Sequence, residues 1–172
     1  IDTIANASHM FEGTIISDTQ LLDTLSYANR AIIDYMFANT QITNLDDVML
    51  PSSIGSAKGT FSKCRLLTSA ENMNIAVNGP IDRIFENCTK LANIDGLIVK
   101  NATSIAYMLL GVARVNPIPL VSKWGLANCG SMEHAFDGCD ISGTIDWTGL
   151  QLGNSNCQYN YIFNGAGNLN IV

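Results

Sequence analysis

Charge is scarce in this chain, and positive charge scarcest. Of its 172 residues, 14% are Asp, Glu, Lys or Arg, against roughly a quarter in typical soluble domains. Nine Lys and Arg face fifteen Asp and Glu, for a net charge of -6 and a pI near 4.6. That balance excludes the clustered basic surface needed to neutralise nucleic-acid phosphates. Long apolar runs are missing too. Those present are short, for example the one that includes Tyr107 to Leu110, nowhere near the ~20 residues of a spanning helix, so the chain reads as soluble.

Catalytic and metal signatures are equally thin. There is no Gly-x-Ser-x-Gly elbow, no phosphate-binding P-loop and no His-x-x-x-His, the spacings that hydrolytic, nucleotide and zinc chemistry use. The five cysteines (Cys64, Cys88, Cys129, Cys139 and Cys157) contain no Cys-x-x-Cys pair, and their odd number leaves at least one unpaired in a monomer. An enzyme, a metal site and a cofactor are therefore not expected. What replaces charge is Asn, Ser, Thr and Gly beside a 47% hydrophobic content, too apolar for a disordered chain. A single domain of this length buries roughly 70% of its unfolded surface. The start at Ile1 and the apolar stop at Leu169-Asn170-Ile171-Val172 read as a piece of a longer or processed protein.

What is present is a repeat. Aligning on the aromatic of Met10-Phe11 recovers the same slot at Phe37, Phe61, Phe85, Leu109, Phe136 and Phe163, with spacings of 26, 24, 24, 24, 27 and 27 residues. Three residues on lies a small or thiol side chain: Thr14, Thr40, Cys64, Cys88, Val112, Cys139 and Ala166. The inner units then place an apolar residue at every third position, as in Ile42-x-x-Leu45-x-x-Val48 and Leu91-x-x-Ile94-x-x-Leu97. Neither helical spacing nor strict alternation fits that stretch; a short strand bending into a corner does. Around each aromatic, Ser or Asn precedes and Gly follows, as in Ser131 and Gly138 or Ser104 and Gly111. These are helix start and stop signals, and they predict one or two helical turns. A unit of about 24 residues cannot bury its apolar stripe alone, whereas stacked units share a continuous core. The expectation is one domain over residues 1–172: a solenoid of about seven turns, with short parallel strands joined by helical turns and loops.

The segments Leu50-Pro51-Ser52-Ser53-Ile54, Phe61-Ser62-Lys63-Cys64-Arg65-Leu66-Leu67 and Phe85-Glu86-Asn87-Cys88-Thr89-Lys90-Leu91 resemble the BspA-type leucine-rich repeat. The Met10-Phe11 and Met36-Phe37 variants are similar to related repeats of bacterial surface lipoproteins. The likeness covers nearly the whole chain from about Ala7, and the fifth unit departs from it through Leu109, Val112, Pro117 and Pro119. It implies a right-handed leucine-rich-repeat-like solenoid, on an extracellular or cell-surface protein, that works by adhesion or protein binding. Fold alone names no ligand.

Within that frame an acidic row stands out. Asp46, Glu71, Asp95 and Asp146 each follow the middle apolar residue of the triplet stretch. Stacked like charges oppose each other, so a functional row would hold a cation or a basic partner; the weightier reading is that each acid bonds nearby backbone N–H groups. With Asn72, Asn93 and Trp147, these acids form the candidate ligand-binding face for a protein or glycan. Trp124 is the second aromatic to watch, although large aromatics more often pack. Calcium dependence stays open for such a surface, but no Asp-x-Asp loop is present. His9 and His134 share one repeat position, two before the aromatic, and need no catalytic explanation. Cys64 and Cys88 would fall within disulfide range of each other, yet a ladder of buried thiols interchangeable with Thr, Val and Ala is favoured. Cys129 and Cys157 lie off that slot and are the likelier reactive or paired cysteines. The sequons at Asn6, Asn87 and Asn101 are discounted in so Asn-rich a chain. The expected function is a non-catalytic surface recognition module. The alternative is a structural spacer or assembly segment of a larger surface or virus-particle protein, contacting or self-associating through an open end.

Overall fold

The computed structural model describes residues 3–115, 121, 124–141, 143–145, 155–167 and 169–171. Regular structure is sparse: β1 (Ile4–Asn6), α1 (Gln20–Thr24), β2 (Tyr27–Ile32), β3 (Met49–Leu50), β4 (Ile54–Ser56), β5 (Asn74–Ile75), β6 (Ile98–Val99), β7 (Gly143–Ile145) and β8 (Leu169–Ile171). Every strand pairing is parallel, in three small sheets ordered β1-β2-β4, β3-β5-β6 and β7-β8, with no closed barrel among the described residues. Parallel neighbours need a long crossover, and here each crossover is one sequence unit. Met49 therefore faces Asn74 and Asn74 faces Ile98, while Leu50, Ile75 and Val99 line up beside them. Between the strands the same register continues as single bridges, Asn44–Ser69–Asn93 and Pro80–Ser104–Ser131–Gln158.

The segments around the repeated aromatic are not helical, which corrects the sequence expectation; α1 is the one α-helix among the described residues. Met36 N–H bonds Ile33 O at 3.1 Å, Ala38 N–H bonds Tyr35 O at 3.0 Å and Cys64 N–H bonds Phe61 O at 3.2 Å. Each is the closing bond of a β-turn. The residues two before and two after the aromatic are left-handed, for example Tyr35 and Asn39 at φ +55° and Arg83 and Asn87 at +61° and +58°. A left-handed residue at the third turn position is the type II arrangement, and it breaks any helix. It also turns alternate N–H groups outward along the stack. Tyr35, Phe37 and Asn39 donate to Lys58, Thr60 and Ser62 carbonyls at 2.7, 2.9 and 2.8 Å, and the next units repeat the pattern.

Behind these turns runs the core. Phe11, Phe37, Phe61 and Phe85 stack with ring centroids 5.4, 5.9 and 6.3 Å apart. Each fully buried Phe contributes roughly 2–3 kcal/mol. Leu109 interrupts the column, and Phe136 stacks instead on Phe163 at 5.5 Å and Trp124 at 6.3 Å. Trp124 is 4% exposed and donates its indole N–H to Leu97 O at 3.0 Å, so it packs rather than presents a platform. The triplet residues Ile42, Leu45, Leu67, Ala70, Leu91 and Ile94 are buried in the same cluster, which extends from Ala7 to Cys157. The expected bent strand over them is reduced to one bridge, one turn and two strand residues.

Where the small slot after the aromatic carries Thr or Cys, the side chain hydrogen-bonds a buried carbonyl. Thr40 Oγ1 donates to Phe37 O at 2.8 Å; Cys64 Sγ donates to the same carbonyl at 3.2 Å, and Cys88 Sγ to Phe61 O at 3.0 Å. Thr and Cys alternate here because either side chain reaches a buried carbonyl. Burial raises the Cys64 and Cys88 thiols and pushes Cys139 up to about 12, which keeps all three protonated as donors. All five cysteines are free and buried.

Candidate functional site

The acidic row forms at a corner with the same turn chemistry as the aromatic edge. Val48, Met73 and Leu97 N–H groups close turns onto Leu45, Ala70 and Ile94 carbonyls at 3.2, 3.3 and 3.2 Å. Asp46, Glu71 and Asp95 occupy the second position of these turns, and Asp47, Asn72 and Gly96 the left-handed third, at φ +59°, +55° and +66°. Asn72 is thus a turn residue, Asn being among the few side chains that tolerate this conformation. It is exposed, and its Oδ1 occupies the space a Cβ on Gly96 would need, 2.2 Å away.

Asp46 does not face its neighbouring acid as a bare like charge. Its Oδ1 accepts from the Ser69 hydroxyl and from Glu71 N–H at 2.7 Å, while Asn44 Nδ2 donates to its Oδ2 at 2.6 Å. Burial raises the Asp46 carboxyl, but the bonds from Ser69, Asn44 and the Glu71 amide outweigh it and leave the pKa below its ordinary 3.8. Asp46 therefore clasps the next unit. One step along, Asn93 Nδ2 donates to Glu71 Oε2 at 2.9 Å and Asn93 Oδ1 accepts from Asp95 N–H at 3.1 Å. Asp95 is exposed, and its carboxylate makes no side-chain hydrogen bond among the described residues. The structure thus joins Asp46, Glu71, Asn93, Asp95 and Asn72 along one corner; Asp146 and Trp147 lie outside the described residues. A depression of about 240 Å³ adjoins Asp46, lined by Thr19, Leu22, Asp23, Asp47, Val48 and Met49. No three His, Cys, Asp or Glu side chains converge as metal ligands among the described residues.

Sequence reasoning missed two equivalent clasps on the aromatic edge. Asp34 Oδ1 accepts from Ser56 Oγ at 2.6 Å and Lys58 N–H at 2.8 Å; Asp82 Oδ1 accepts from the Ser104 hydroxyl and Ala106 N–H at 3.1 Å. The signal was available as Ile33-Asp34 and Ile81-Asp82, which match Leu45-Asp46 and Ile94-Asp95 residue for residue.

The left-handed position on this edge carries large side chains that stack outside the core. His9 lies on Tyr35 with centroids 5.2 Å apart; Arg83 sits 4.1 Å over Tyr107, which stacks on His134 at 4.9 Å, which stacks on Tyr161 at 5.0 Å. Gly59 occupies the third unit's place, where a Cβ would lie 2.2 Å from the Tyr35 ring. Carboxylates three residues on pair with these side chains: Glu12 with His9, Glu86 with Arg83 at 2.7 Å and Asp137 with His134 at 2.5 Å. Both histidines thus serve this edge. Tyr161 is 65% exposed, and Tyr35, Tyr107 and His134 are half-buried.

No protein-family model, curated protein or solved structure matches the chain.

Proposed function

We propose that the chain is a leucine-rich-repeat-like solenoid of seven units that acts as a non-catalytic recognition module at a cell or particle surface, binding a protein or glycan. The one-unit register of its strands and bridges supports the solenoid reading. The stacked outer column of Arg83, Tyr107, His134 and Tyr161 carries the functional reading. Tyr and Arg are the side chains that dominate binding hot spots, and stacking orders them in advance, which lowers the entropy lost on association. Glu71 and Asp95 add an acidic strip on the other corner, suited to a basic segment.

The competing reading is a spacer or assembly segment. Its support is that Asp34, Asp46 and Asp82 direct their carboxylates to the next unit of the same chain rather than outward. A screen of the folded 172-residue chain against glycans and extracellular-matrix proteins, with and without calcium, separates the two. The recognition reading expects a specific hit that weakens at least tenfold in Arg83→Ala/Tyr107→Ala or in Glu71→Gln/Asp95→Asn. Silence across the panel from a folded chain favours the spacer.

A further inference from the structure

We infer that Cys129 and Cys157 form an oxidisable pair that closes into a disulfide joining the sixth unit to the seventh. The backbone brings the two together: Gln158 N–H bonds Gly130 O at 3.0 Å, and Met132 N–H bonds Gln158 O at 2.7 Å. Each cysteine immediately precedes one of these bonded residues, both are buried, and the Cys157 thiol is near enough to perturb the ionisation of Cys129. The slot cysteines are arranged differently, because Cys64 and Cys88 each hook the preceding unit's Phe carbonyl. The Cys129 and Cys157 thiols instead donate to carbonyls close to them in sequence, Ser131 O at 3.2 Å and Gln158 O at 3.9 Å.

Accessibility sets the order of events. Cys157 is 7% exposed between the exposed Asn156 and Gln158, whereas Cys129 is fully buried. Burial, then the neighbouring Cys157 thiol, pushes Cys129 up to about 12, and burial raises Cys157 as well. Only the thiolate attacks a disulfide, so the more accessible Cys157 reacts first. With glutathione disulfide as oxidant, the Cys157 thiolate displaces one glutathione thiolate and forms a mixed disulfide. The Cys129 thiolate then attacks Cys157 Sγ and releases the second. Two protein thiols are oxidised, one glutathione disulfide is reduced to two glutathione thiols, and the two cysteine protons go to them through solvent. High thiol pKa values make the step slow at neutral pH and faster as pH rises. The bond encloses a single repeat unit, so it acts as a redox-dependent staple on the last one.

Incubating the 172-residue chain at pH 8 in glutathione buffers of graded ratio, followed by peptide mapping without reductant, tests this directly. The expected product has lost two hydrogens, carries a Cys129–Cys157 link, and leaves Cys64, Cys88 and Cys139 unmodified until unfolding. Its thermal midpoint rises by about 5–10 °C over the reduced form. Cys157→Ser abolishes the link and Cys64→Ser retains it. A Cys64–Cys88 link, a glutathione adduct at Cys157 that never resolves, or a chain that stays reduced under excess glutathione disulfide overturns the inference.

Discussion

In the second and fourth units the two corners are built by the same local rule, an apolar residue, an acid, a left-handed residue and a second apolar residue, yet they rest on different interiors. On the aromatic edge the turn recurs from His9 to Tyr161, with a left-handed residue in every unit. On the acidic corner it is described only at Asp47, Asn72 and Gly96. The difference lies behind the turn. The aromatic edge rests on stacked Phe rings, interrupted at Leu109, and on Cys64 and Cys88 thiols that hook the preceding unit. The acidic corner rests on Leu45, Ala70 and Ile94, which are fully buried but bring no ring to the stack. Local turn chemistry is thus shared, and what is buried behind it differs.

The sharpest way to break that comparison is to remove a ring. Phe61→Ala is expected to cost about 3–5 kcal/mol, read by denaturant unfolding, and Ala70→Gly on the acidic corner no more than about 1 kcal/mol. Equal losses would show that both corners carry the stack alike. Gly59→Ala is expected to cost about 1–2 kcal/mol, since it combines a left-handed φ with contact against the Tyr35 ring. In a Tyr35→Ala background the contact disappears and only the conformational part remains, so the double-mutant cycle should report a coupling of at least ~0.5 kcal/mol.

The clasps come next. Asp46→Ala and Asp82→Ala should each lose about 1–2 kcal/mol, whereas Asp95→Ala should stay within ~0.5 kcal/mol. A lowered folded pKa means the native state holds Asp46 as carboxylate more strongly than the unfolded chain does. The stability it contributes is complete above its ordinary 3.8 and is lost as pH falls through the lower folded value. Wild type and Asp46→Ala should therefore converge in thermal midpoint as pH drops below that window, and parallel curves would remove the carboxylate's role. A small effect also belongs to the aromatic edge's surface: Arg83→Ala, which loses Tyr107 and Glu86 together, should cost about 1 kcal/mol or less.

The repeat, its Phe slot and the small slot after it were legible because buried, evenly spaced positions leave a periodic record in sequence. The turns were misread as helix for a physical reason. Ser131 bonds Glu133 N–H at 3.3 Å and Gly138 takes φ +69°, so cap-like groups satisfy the backbone here as they would at helix ends. Tyr35, Arg83 and Tyr107 gave no hint of left-handed geometry, since large side chains seldom adopt it. The backbone-bonding reading of the acids was sound for Asp46. Its partner, however, lies on the following unit 25 residues away, a distance that adjacent-residue reasoning does not span. Trp147 and Asp146 fall outside the described residues and leave that part of the face to the binding experiment.

One feature of the aromatic edge reaches beyond stability. Its inter-unit hydrogen bonds all run one way: His9 to Asp34, Tyr35 to Lys58, Gly59 to Asp82, Arg83 to Ala106, Tyr107 to Glu133 and His134 to Asn160. Aligned peptide dipoles add, as they do along an α-helix. This edge is therefore an electrical axis, with partial positive charge gathering toward the higher-numbered units and partial negative charge toward the lower. Elsewhere inter-unit bonds such as Asn74 N–H to Val48 O and Gln158 N–H to Gly130 O run the other way, so this polarity belongs to the aromatic edge and sets it apart from the opposite face.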